Sequence, residues 1–218
     1  MGRQVVDPAL EPGELLRRCA GEPGAVVLDG AGDRAWCGRH AWFGLAPAAV
    51  LRVDADGRAY RRDAAGTRPL QGDPLDLLTQ FVADLHPDAG PDDAFVAVAL
   101  GYDLRRAIEP RLGGRRPPPR QPLLHAAAYD WLLACDRAQG GWEIRIRPGA
   151  DVDPEAVIAF VRQRAARALP AAELHGGGAL LPAFTAAEHE RAARRALAYI
   201  AAGDVYQVNL AQRFVADR

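Results

Sequence analysis

The stretch Tyr199-Ile200-Ala201-Ala202-Gly203-Asp204-Val205-Tyr206-Gln207-Val208-Asn209-Leu210-Ala211-Gln212-Arg213-Phe214 joins two periodicities within one short segment. Its first part closes a helix. Thr185 and Glu188 stand at capping-box spacing at the start of that helix. Gly203 is the residue type best suited to the left-handed turn that ends one. From Val205 to Val215 the period falls to two. Tyr206, Val208, Leu210 and Phe214 alternate with Gln207, Asn209, Ala211 and Arg213, while Gln212 interrupts the apolar side. This predicts a strand with one apolar face and one face of amides and a guanidinium. Period alone favours a half-buried strand with a wet face over a ligand-facing one. Asn209 is the only asparagine in the chain.

Upstream, two further helices carry the same local signals. Asp73 caps and Pro74 opens one, whose Leu75, Leu78, Val82 and Leu85 recur at helical spacing up to His86. Asp153-Pro154-Glu155 opens the other, with Val157, Phe160, Val161, Ala165 and Ala168 as its buried face. Between and before them the chain is strand-rich. Ala25–Asp29, Trp42–Leu45 and Phe95–Leu100 are short apolar runs. Val50–Val53 and Arg58–Arg61 flank Asp54-Ala55-Asp56-Gly57, a hairpin signal because Gly57 tolerates positive φ. Ala126–Cys135 and Trp142–Arg147 read as a hairpin around Gly140-Gly141. Loops are expected at Pro87–Asp93 and over the Arg-, Gly- and Pro-rich Arg111–Pro122. Gly176-Gly177-Gly178 sits in the best linker candidate, 171–183. It divides residues 1–170 from 184–218. Separated strand pairs and helices together indicate an α+β class with mostly antiparallel pairing.

Composition narrows function by exclusion. The chain has 218 residues, 49% hydrophobic and 25% charged, with a net charge of −1, which fits a globular protein and disfavours nucleic acid or an anionic membrane as partner. All 27 basic residues are arginine, and serine is absent as well as lysine. Serine-nucleophile hydrolysis, the Walker-A phosphate loop and lysine Schiff-base chemistry are therefore excluded within these residues. His175-Gly176-Gly177-Gly178 cannot serve as a lipase-like oxyanion loop without a serine nucleophile. The five histidines and the cysteines Cys19, Cys37 and Cys135 show no metal-ligand spacing. Asp92-Asp93 and Asp54/Asp56 read as turn carboxylates, and Arg115, Arg116 and Arg120 as a solvated basic loop. No signal peptide or membrane-length apolar run is read, so the expected location is cytoplasmic.

Residue identity carries more than periodicity does. The stretch from Tyr199 to Phe214 resembles the signature that opens the chorismate-binding region of the family of anthranilate synthase and aminodeoxychorismate synthase component I. Its Tyr206-Gln207-Val208-Asn209-Leu210-Ala211-Gln212-Arg213-Phe214 form is similar to the aminodeoxychorismate branch. Gly38–Pro47, Gly101-Tyr102-Asp103-Leu104 with Glu109, and Ala128-Tyr129-Asp130-Trp131 with Asp136 resemble further family segments. The resemblance implies two antiparallel sheets packed as a sandwich with helices outside, here incomplete. It also implies chorismate and ammonia as reactants, a glutamine amidotransferase as partner and Mg²⁺ as cofactor.

The departures are equally informative. Family members are roughly twice as long, and their catalytic and metal-binding residues lie after the signature. No catalytic residue and no metal ligand is therefore assigned here, and only Gln207 and Asn209 are expected near substrate. In members with a tryptophan pocket, a serine follows an acidic residue in the first strand. The corresponding pair here resembles Asp29-Gly30, and a second pocket serine corresponds to Ala41. Each missing hydroxyl removes a hydrogen bond worth about 1 kcal/mol, so tryptophan binding is expected to be weak or absent. The resemblance also admits the anthranilate synthase branch and a non-catalytic N-terminal ligand-binding or docking module. A sandwich cut partway leaves an unpaired edge, and low solubility is expected.

Overall fold

A computed structural model describes residues 4–6, 12–19, 21–30, 39–85, 95–109, 111, 121–136, 141–168 and 179–216. The chain divides into two compact units, Met1–Pro170 and Ala171–Arg218. The loop expected at 87–93, most of the basic loop at 111–122, Asp92-Asp93, Cys37, His86, His175 and Gly176–Gly178 lie outside the described residues.

The first unit holds two antiparallel five-stranded sheets. The first is ordered β1 (Gln4–Val6), β10 (Trp142–Ile146), β9 (Trp131–Asp136), β3 (His40–Gly44) and β2 (Val26–Asp29). The second is ordered β6 (Gly66–Leu70), β5 (Ala59–Asp63), β4 (Ala49–Val53), β8 (Leu124–Ala128) and β7 (Val96–Leu100). Helices cover the outer faces. Leu15 and Cys19 of α1 (Pro12–Arg18) and its end, with Val157, Ile158 and Val161 of α4 (Pro154–Ala165), pack on Ala41, Phe43, Leu133, Cys135, Trp142 and Ile144 of the first sheet. Phe81 of α2 (Pro74–Leu85) packs on Leu51, Val53, Leu124 and Ala126 of the second. A third cluster, Val50, Phe95, Ala127, Tyr129 and Leu132, fills the space between the sheets. This is the α+β sandwich with helices outside that the resemblance implied. A one-turn helix, α3 (Arg105–Ile108), follows a 3₁₀ turn at Tyr102–Leu104.

The capped helices begin where their caps predict. Asp73 Oδ1 accepts from the Leu75 amide at 2.8 Å, and Asp153 Oδ1 from the Glu155 amide at 3.0 Å. Strand pairing departs from the sequence reading in several places. Ala126–Cys135 is not one strand: β8 ends at Ala128 in one sheet and β9 begins at Trp131 in the other. The chain crosses between sheets at Tyr129-Asp130, where Arg147 Nε donates to Asp130 Oδ1 at 3.0 Å and the Arg147 amide to the Asp130 carbonyl at 2.8 Å. The hairpin with Trp142–Ile146 is therefore β9–β10 alone. Three consecutive alanines of low strand propensity sit in β8 because it is flanked on both sides, by β4 and β7. β6 has no apolar alternation to announce it and owes its form to the ladder with β5.

In the second unit, α5 (Ala186–Ala202) carries the full capping box at Thr185 and ends at Gly203 with φ of 80°. The strand expected over 205–215 is not continuous. Only Phe214–Ala216 (β12) pairs, with Leu180–Pro182 (β11), a strand inside the stretch read as linker. Alternation defines the faces a strand would present, but a ladder needs a neighbour; the Arg213 carbonyl still accepts from the Ala183 amide at 2.8 Å, while residues 205–212 have no strand partner among the described residues.

Candidate functional site

Strand parity sets up the site. On β3, Ala41 and Phe43 turn to the helix side, while Trp42 turns to the space between the sheets. On β9, Leu133 and Cys135 face the helices and Leu132 the interior. The inward residues of the first sheet meet those of the second around a cavity of about 500 Å³. Val26 and Leu28 of β2, Trp42 and Gly44 of β3, Leu132 of β9 and Arg145 of β10 line one side. Phe95, Val96 and Ala97 at the start of β7, with Tyr129 at the crossing, line the other. β2 and β7 are each the last strand of their sheet, so the cavity lies between the two sheet edges.

Tyr129 fixes the apolar end. Its ring is 2% exposed and its hydroxyl donates to the Gly24 carbonyl at 2.7 Å. Burial pushes its phenol up to about 12, so the side chain is neutral at ordinary pH. A Cβ on Gly44 would stand 2.9 Å from the Tyr129 ring, which explains the glycine at the end of an aromatic-rich strand. Arg145 is the only charged residue among the described residues of the lining. Its Nε donates to Glu143 Oε1 at 2.6 Å, and its guanidinium carbon lies 4.6 Å from the centre of the Trp42 ring, a cation–π contact across β9. The lining thus joins aromatic and aliphatic walls to a single held cation. Among the described lining residues there is no nucleophile and no acid–base pair.

The sequence-derived positions fall in different places. Asp29 pairs with Ala41 across β2 and β3. Ala41 is 1% exposed within the helix-side cluster, on the face of β3 opposite Trp42, and does not line the cavity. Gly30 follows Val26 and Leu28 in parity, just past the end of β2. Gln207 and Asn209 belong to the second unit and are both exposed. Sequence reasoning missed Trp42, Tyr129 and Arg145 as a group. The parity of Val26, Leu28 and Trp42 was legible, but the register that brings Arg145 to them was not. Among the described residues, no group of three or more His, Cys, Asp or Glu side chains comes together to hold a metal ion. They offer no ligand set for Mg²⁺. No described helix is long and apolar enough to cross a membrane.

The sequence from residue 33 to 217 matches the chorismate binding enzyme family. The chain belongs to that family. Among its curated relatives, aminodeoxychorismate synthase component 1 of Klebsiella aerogenes is 32% identical over 149 residues, covering 66% of the chain and 32% of the relative. Anthranilate synthase component 1 of Synechocystis sp. is 26% identical over 225 residues, covering 89% and 44%. Anthranilate synthase component I from Streptococcus pneumoniae TIGR4 superposes with a TM-score of 0.53 at 18% identity, covering 94% of the chain and 46% of that structure. The fold is therefore that of the component I synthases. The chain spans less than half the length of each of these relatives.

Proposed function

We propose that this chorismate-binding chain is the N-terminal part of an aminodeoxychorismate synthase component I. The whole enzyme would replace the chorismate hydroxyl by ammonia, releasing water and giving 4-amino-4-deoxychorismate for folate synthesis. Mg²⁺ would serve that enzyme as Lewis acid, and a glutamine amidotransferase would supply the ammonia. Residues 1–218 have a scaffolding role in this reading: 1–170 the N-terminal domain, 171–183 the linker and 184–218 the start of the chorismate-binding domain, with Gln207 and Asn209 nearest to substrate.

The observation that carries the reading is the Tyr199–Phe214 stretch in its Gln207-Val208-Asn209-Leu210-Ala211-Gln212-Arg213-Phe214 form. Support also comes from the 32% identity to the Klebsiella relative. The chain incubated with chorismate, ammonia and Mg²⁺ is expected to yield no amino product above the uncatalysed rate. Steady turnover by these residues alone would overturn the scaffolding assignment. The Synechocystis relative, aligned over 89% of the chain, favours a second reading, the anthranilate branch. Product analysis on the longer protein separates the two, because anthranilate forms with release of pyruvate and aminodeoxychorismate without it.

A further inference from the structure

The second sheet carries a basic face that the inter-sheet cavity does not use. Its helix side is set by Leu51, Val53, Leu124 and Ala126, which pack with Phe81. Arg61 lies on that side too, its guanidinium over the Phe81 ring and donating to Asp84 of α2 at 2.7 Å. Strand parity therefore sends Arg52 of β4, Tyr60 and Arg62 of β5 and His125 of β8 to the opposite face. The register puts Arg52 directly across from His125 on one side and from Tyr60 on the other, with Arg62 across from Val50. Neighbours opposite one another stand about 5 Å apart at Cβ and diagonal ones roughly 7–8 Å, within reach of two arginine side chains. None of these four residues lines the cavity.

This face has more cation than it has partners. Asp54 accepts from Arg52 Nε at 2.6 Å and from the Tyr60 hydroxyl. That leaves the terminal amino groups of the exposed Arg52 as a two-donor fork. Arg62, also exposed, and the His125 ring have no hydrogen bond or ion pair with a described residue. Burial, then the Arg52 and Arg62 guanidiniums, hold His125 below its ordinary value of 6.5, so the ring is neutral at pH 7. Like charges set side by side on a sheet are destabilising unless something else neutralises them. With His125 protonated, the three basic groups less Asp54 leave two positive charges facing solvent.

We propose that this face binds a doubly charged tetrahedral oxyanion, the phosphate of a phosphomonoester or the free ion, between Arg52, Arg62 and His125. Three donors from three strands match the oxygens of a tetrahedral group, and its two negative charges match the two in excess. A planar monocarboxylate would leave one cation unmatched. The site is independent of the reaction proposed above.

Binding to this set must depend on pH through His125. The charged and titratable groups facing the ring are Arg52 and Asp54 from β4 and Tyr60 and Arg62 from β5, while Ala99, opposite it on β7, adds none. The Tyr60 hydroxyl and then Arg52 hold Asp54 below the usual carboxylate range, and its bond to Asp54 raises the Tyr60 phenol. Of these groups only the imidazole changes charge between about pH 5 and 8. A bound dianion favours the imidazolium, so binding tightens as pH falls, and the anion raises the ionisation of His125 by reciprocal linkage.

Sulfate is the deciding probe, because it stays a dianion throughout that range. The protein is titrated with sodium sulfate at constant ionic strength, and the histidine rings are followed by proton–carbon NMR, with His125→Gln assigning the His125 signal. Saturable binding at millimolar concentration is expected, at least about fivefold tighter near pH 5.5 than near pH 7.5, with an upward move of the His125 titration. Arg62→Gln should weaken sulfate by about tenfold, the loss of one charge-assisted contact, and His125→Gln should abolish the pH dependence. Acetate should bind at least about tenfold more weakly than sulfate. Phosphate and phenyl phosphate then distinguish the two sources: tighter binding of the ester identifies an organic phosphate, equal binding the free ion. A His125 titration that sulfate leaves unmoved would overturn the proposal. So would acetate binding as well as sulfate, or an Arg62→Gln protein with unaltered affinity. The His125 titration of the unaltered protein decides the matter even if a variant does not fold.

Discussion

Tyr129 shows how much of this molecule depends on one side chain. It sits where the chain leaves one sheet for the other, fills the apolar end of the cavity and ties itself to Gly24 ahead of β2. Tyr129→Phe is expected to cost about 1 kcal/mol at neutral pH, read by urea unfolding, through loss of that hydrogen bond. The phenol adds a pH dependence of defined sign. Its ionisation is pushed from 10 up to about 12 by burial, so the folded chain keeps its proton longer than the unfolded one. Stability is therefore fully present below about pH 10 and falls as pH rises toward 12, by on the order of 2–3 kcal/mol. The Phe variant should lose that component of the alkaline decline; an unchanged slope would show that other groups cause it. Tyr129 was visible in the sequence only as part of a family-like segment. Nothing local tells a strand residue from a residue that crosses between sheets. The same limit affected Ala41, whose identity suggested a pocket position while its parity puts it among the helices.

At the scale of elements, what depends on local chemistry was legible and what depends on partners was not. Asp73, Asp153 and Thr185 with Glu188 announced three helices because a cap is satisfied by amides only two or three residues away. β6 and β11 were invisible and 205–215 was overread, because each depends on which segment lies alongside. Two caps should respond differently to removal. α4 buries Val157, Ile158 and Val161, so Asp153→Ala leaves its packing in place. α5 buries no residue and depends on local terms, among them the box in which Thr185 and Glu188 satisfy one another's backbone amides. Thr185→Ala is expected to cost about 1 kcal/mol of helix stability. Hydrogen exchange should accelerate throughout α5 in that variant, whereas Asp153→Ala should accelerate only the first turn of α4. Equal responses of the two helices would contradict this account.

For the whole molecule, the class was readable and the pairing order was not. Antiparallel strands and outer helices follow from separated strand pairs and amphipathic stripes, but no sequence feature gives an order such as β1-β10-β9-β3-β2. The second unit also exposes much apolar surface: Leu180 is 65% exposed and Leu197 65%, and Tyr199, Ile200, Phe214 and Val215 are exposed as well. Such surface promotes association in water. The isolated chain is expected to self-associate as its concentration rises, and Leu197→Glu to reduce the effect, both followed by light scattering. A monomeric chain across the micromolar range would refute this.

The pairing of β1 with β10 sets the order of events during synthesis. Gln4 faces Ile144 and Val6 faces Trp142, so β1, the earliest described strand of its sheet, is seated only after β10, the last, has emerged. β2 and β3 can pair early, being close in the chain, but β9 must enter between β3 and β10 before β1 has an edge to join. Contacts of such long sequence separation form slowly. The segment that carries β1 therefore waits without its partner strand until residues 142–146 have been made, and of the described strands in this sheet the earliest in the chain is the one placed last.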